Sequence, residues 1–173
     1  GLLLLSDISL RQFAAGKLLV SLFAVTVSLV SLVPMLMLAM SLGGIAAGQI
    51  LASLAIIGCT GFLAVGMGLF AGAVTSTEKR MHSLLSLLGM LVFIVPPPLC
   101  ALLHELSSVR LPMYVLPVVS PFAAISAALG GRTFDLILLN CVLSLGVGLI
   151  FVLLAVAALR VIRAENDAPA APV

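Results

Sequence analysis

The chain has 173 residues, 63% of them hydrophobic and 8% charged, with a formal net charge of +2. That charged fraction is far below the roughly one quarter typical of a soluble domain, and the mean hydropathy is +1.39. The composition excludes an ordinary water-soluble fold and leaves no basic stripe for nucleic-acid phosphates. It specifies one membrane domain with no separate soluble catalytic domain.

From Leu18 to Thr77 no Asp, Glu, Lys or Arg occurs, enough for two apolar helices of about 20 residues each, the length that spans a bilayer. Four spans are predicted in chain order: 18–42, 49–74, 81–103 and 136–159, together forming a transmembrane domain over 18–163. They must be helices, because an open strand edge leaves backbone groups unpaired in lipid. Gly43-Gly44 closes the first span, and Pro34 inside it predicts a kink. Pro96-Pro97-Pro98 ends the regular part of the third near Val95.

An apolar but irregular element follows over 104–135. Within it Ser120-Pro121 reads as a helix start, with Ser as N-cap and Pro at the first helical position. Gly130-Gly131 ends that helix after about nine residues, too few to cross a membrane. The fold class is therefore all-α: a polytopic membrane helix bundle of four transmembrane helices plus a short outer re-entrant or interfacial helix. The tail 164–173, polar and then rich in Ala and Pro, is predicted to be disordered.

Orientation follows from the basic residues. Four spans put Arg11, Lys17, Lys79, Arg80, Arg160 and Arg163 on one side, against Arg110 and Arg132 on the other, six against two. Making Leu111–Leu129 a fifth span gives five against three. Lys and Arg favour the cytoplasmic side, so four spans are preferred and both ends of the chain are cytoplasmic.

Enzyme signatures fail on inspection. Gly16-Lys17 resembles the end of a phosphate-binding loop, but that loop needs Gly where Arg11 stands and Ser or Thr where Leu18 stands. His104-Glu105 opens a zinc-protease pattern whose second His would fall at Ser108. His82, beside Lys79 and Arg80, reads as solvated or as a lipid-phosphate contact. Cys59, Cys100 and Cys141 form no CxxC pair and read as small buried thiols. No catalytic residue, metal site or cofactor is expected.

The informative patterns concern helix faces. Thr60, Ala64, Gly68, Gly72 and Ser76 recur every four residues on the second span, a small-residue face that lets another helix approach closely. Its plainest use is packing within the chain; a subunit interface or moving surface is the other. On the first span Lys17, Ser21, Ala24, Ser28 and Ser31 share a face, and on the fourth Asn140, Ser144 and Gly148 do. Polar residues in spans turn toward the bundle interior or an aqueous path, so Ser21, Ser28, Ser31, Asn140 and Ser144 are candidate path-lining residues. No carboxylate lies deep in a span, which argues against proton or sodium coupling.

The stretch Gly1–Lys17, GLLLLSDISLRQFAAGK, resembles a segment of the permease subunits of ABC (ATP-binding-cassette) exporters of type 2. There, leucines followed by Ser or Thr, Pro or Asp, and then Gly-Lys lead from a cytoplasmic loop into the third of six spans. The order of elements up to Arg163 resembles that family too, including the outer Ser120-Pro121-Phe122. Asp7 stands where many members carry Pro, and the family's first two spans are missing, as expected of a chain cut at Gly1.

The resemblance implies that residues 1–17 form a cytoplasmic segment coupling to an ATPase, with Ser6, Asp7, Arg11, Gly16 and Lys17 on or beside it. It implies a permease subunit in the cell's inner (plasma) membrane, moving substrate by alternating access. Its partners would be a separate ATP-binding-cassette ATPase, a second permease copy or paralogue, and membrane lipid. ATP hydrolysis would belong to the partner chain. The alternative is a fragment of a secondary transporter or channel.

Overall fold

The computed structural model describes residues 10–75, 77–96, 98, 102, 117–130 and 134–167. Their order is α1 (Leu10–Ser41), α2 (Ala47–Val74), α3 (Glu78–Gly89) running into a π-helical turn (Met90–Ile94), α4 (Pro121–Leu129) and α5 (Phe134–Asp167). The described residues are all-helical, and among them three helices are long and apolar enough to cross a membrane, over Ala15–Ser41, Ala47–Val74 and Asp135–Ile162, as in a multi-pass membrane protein.

The helix ends follow local chemistry. α1 runs through Pro34 as one element and stops where Gly43, at φ 78°, adopts the left-handed conformation that glycine enters at no steric cost. Its N-terminal end lies eight residues before the predicted span, so Leu10–Lys17 and the span are one rod. At the start of α2, Gln49 Oε1 accepts from the Ala46 N–H at 2.9 Å, while its Nε2 donates to the Leu129 carbonyl at 3.0 Å. One side chain thereby caps α2 and ties it to the end of α4.

α4 occupies the bounds expected from its capping residues: Ser120 Oγ accepts from the Ala123 N–H, and Pro121 stands in the first turn. α5 continues to Asp167, four residues into the segment expected to be disordered. Nothing in Ala164-Glu165-Asn166-Asp167 breaks a helix; the first breaker is Pro169. The other residues of that tail lie outside the described residues.

The third predicted span differs from the other three. Its α-helix is 12 residues long, a rise of about 18 Å at about 1.5 Å per residue, short of the roughly 30 Å hydrocarbon core. The ladder then widens into the π turn, and the Val95 N–H reaches back five residues to the Met90 carbonyl at 3.0 Å. The prolines that follow have no N–H with which to extend an i−4 ladder.

α2 is the central helix. It packs most extensively on α5 and also touches α1, α3 and α4. At one end Ile56, Ala124, Ala128 and Ile137 form a small buried core joining α2, α4 and α5. Toward the other end Phe70 and Phe151 meet at 5.7 Å between ring centroids, tilted at 51°. α1 is attached more loosely: none of its most apolar stretch is buried within the chain, against a third of that of α2.

Candidate functional site

At the end of the bundle where α1 begins and α5 carries Arg160, the three long helices enclose a cleft of about 300 Å³. Its walls include Leu18, Leu69, Val152 and Val156, and Lys17 reaches it as the charged side chain of its lining. A Cβ built on Gly72 would stand 3.5 Å from Lys17 Nζ and 3.8 Å from Met81 Sδ. The ammonium therefore lies beside Gly72 of α2, at a distance where a methyl group would make ordinary contact.

A second cleft of about 410 Å³ lies further along α2 toward α4, with Thr60, Gly61, Ala64, Phe93, Phe122 and Ile125 in its lining. The Thr60 hydroxyl is buried there without a hydrogen-bond partner.

The predicted coupling residues are thus partly located. Arg11, Gly16 and Lys17 belong to α1, and Lys17 faces the first cleft. Ser6 and Asp7 lie outside the described residues. Of the predicted small-residue face, Thr60 and Ala64 line the second cleft and Gly72 lies under Lys17. A Cβ at Gly68 would meet nothing within 4 Å, and Ser76 lies outside the described residues. Of the described members of this face Ala64 is exposed, and Thr60, Gly68 and Gly72 are half-buried.

The closest helix approach is elsewhere on α2. A Cβ at Gly66 would come within 2.6 Å of the Gly148 carbonyl oxygen, and one at Gly148 within 2.8 Å of the Phe62 ring and 3.1 Å of Leu63 Cα. Gly61 in turn faces Val25 of α1. Gly148 belongs to the α5 stripe noted in the sequence. Gly58, Gly61 and Gly66 escape a search at four-residue spacing because their separations are three and five.

The candidate path-lining residues do not converge. Ser28 and Ser31 are exposed on α1, with hydroxyls donating at 2.9 Å to the Ala24 and Val27 carbonyls of their own helix. Ser21 is half-buried. Asn140 and Ser144 are buried in the interior on α5, and α1 and α5 touch little. Asn140 Nδ2 donates to the Val118 carbonyl at 2.8 Å, pinning the segment ahead of α4, while its Oδ1 is buried without a partner.

Titratable groups are few. His82 lies 3.7 Å from Glu78 on the exposed side of α3. His104 and Glu105 lie outside the described residues, as do Cys100, Arg110 and Arg132. Cys59 and Cys141 are half-buried free thiols within hydrogen-bonding reach of each other across α2 and α5. Among the described residues no three His, Cys, Asp or Glu side chains gather where they could hold a metal ion. Comparison with protein families, curated proteins and solved structures finds no match to the chain.

Proposed function

We propose that the chain is the membrane-spanning permease subunit of an ATP-driven exporter of the type-2 ABC kind, working by alternating access with a separate ATPase and a second permease. The observation that carries this reading is the continuity of α1 from Leu10 to Ser41. A push delivered to the basic N-terminal turns would not be absorbed by a flexible joint. It would tilt the whole helix, the rigid-body movement by which such machines transmit force. The low burial of α1 within the chain is compatible with such a tilt, and its exposed apolar surface suits lipid or a second permease.

The same reading completes the topology. α3 and its π turn begin a fourth crossing, α4 lies at the outer face, and both ends of the chain face the cytoplasm of the inner (plasma) membrane. Lys79 and Arg160 are both exposed, so Lys79→Cys and Arg160→Cys, each made without the native thiols, report on this directly. A membrane-impermeant maleimide should label both from the cytoplasmic side only. Labelling from opposite sides would overturn the four-span topology.

Purification of the parent protein under mild detergent should recover an ATPase bearing a phosphate-binding loop, and transport should stop when ATP is withdrawn. A lone membrane protein whose transport persists on an ion gradient without ATP would instead make it a secondary transporter.

A further inference from the structure

The cleft at the basic end combines two features that neither a soluble anion nor a neutral lipid would use together. Its walls are aliphatic and come from three spanning-length helices, while the charged group at its lining is the Lys17 ammonium. The ion pair recorded in the structure, His82 with Glu78, is on α3 and leaves the cleft untouched. Lys17 also lies three residues into the sequence of the apolar window that starts at Ala15, the depth at which lysines meet the headgroup layer. A methyl group at Gly72 would make ordinary contact with the ammonium at 3.5 Å, so only a larger side chain there would compete for the cleft.

We propose that this cleft is a binding site for an anionic phospholipid, with one acyl chain lying between α1, α2 and α5 and the phosphodiester over Lys17. The volume of about 300 Å³ is at the lower end of the roughly 300–1,000 Å³ of small-molecule sites, which suits a single chain better than a whole bulky ligand. Basic pockets between spanning helices are a recognised form of headgroup site. The occupant would brace α1 against α2 and α5 at the end where the helices are separated by the cleft. The inference requires only that the chain is embedded in lipid. The experiment contains no ATPase, so it succeeds or fails independently of the exporter reading.

The purified full chain in a neutral detergent would be offered phosphatidylglycerol or phosphatidylcholine of the same acyl composition, and retained lipid counted by native mass spectrometry. Wild type should retain phosphatidylglycerol preferentially. Lys17→Gln should lower that preference about fivefold, the worth of one basic residue beside an anionic lipid surface. Lys17→Arg should keep it, Lys79→Gln should leave it unchanged, and Gly72→Leu should reduce retention of both lipids. The proposal is overturned if wild type holds neither lipid or both equally, or if Lys79→Gln acts as strongly as Lys17→Gln. Displacement of the lipid by millimolar inorganic phosphate would also overturn it, identifying a site for the bare anion.

Discussion

Gly66→Ala is expected to destabilise the protein by about 2–3 kcal/mol, because one added methyl group forces α2 away from α5. The added carbon would sit 2.6 Å from the Gly148 carbonyl oxygen. That oxygen belongs to a helix backbone and cannot swing aside as a side chain would. Relief requires moving a whole helix along the most extensive contact in the fold.

Gly148→Ala should cost less, since the nearest atoms belong to the Phe62 ring, which can turn; the remaining penalty comes from Leu63 Cα at 3.1 Å. Gly68→Ala is the control. Its methyl group meets nothing within 4 Å, so it should be neutral or gain up to about 1 kcal/mol of helix propensity. Unfolding of the three variants in detergent, followed by circular dichroism, gives the order. A Gly66→Ala variant as stable as Gly68→Ala would mean that the helices do not meet at this seam.

The second large effect is expected at Asn140, which is 1% exposed and holds the Val118 carbonyl at 2.8 Å. Asn140→Leu removes the donor to that part-buried carbonyl and should cost about 1–3 kcal/mol. Asn140→Asp should be worse, at about 3–5 kcal/mol. When ionised it brings an unpaired charge into the interior and sets acceptor against acceptor at Val118. Losing this bond should also free the segment ahead of α4. Ser120 is 0% exposed, so Ser120→Cys should resist maleimide alone and become reactive when combined with Asn140→Asp. Equal protection in both backgrounds would show that α4 is held by the Ile56–Ala124 core and not by Asn140.

Features fixed by local chemistry were legible in the sequence. The end of α1 at Gly43, the Ser120-Pro121 start of α4 and its stop at Gly130 depend on backbone conformation and capping within a few residues. The three long apolar helices were equally legible, because spanning a bilayer requires only length and an absence of charge. The extension of α5 to Asp167 was missed by reading polarity as disorder where no helix breaker stands.

What the sequence alone determined is therefore that the chain is helical, carries helices long and apolar enough to cross a membrane, and turns at Gly43 and at Ser120-Pro121. Only the tertiary structure decided that α2 and α5 meet at Gly66 and Gly148, that Lys17 is seated over Gly72, and that Asn140 reaches Val118. The physical reason lies in the solvent. In water, a helix buries its apolar stripe and leaves the polar face outside, so the pattern announces the contact. Between lipid tails every aliphatic face is equally at home, and helices associate by shape and a few hydrogen bonds. Gly148 falls in a periodic stripe on α5, but nothing on α5 alone says that its partner is Gly66, which falls in none.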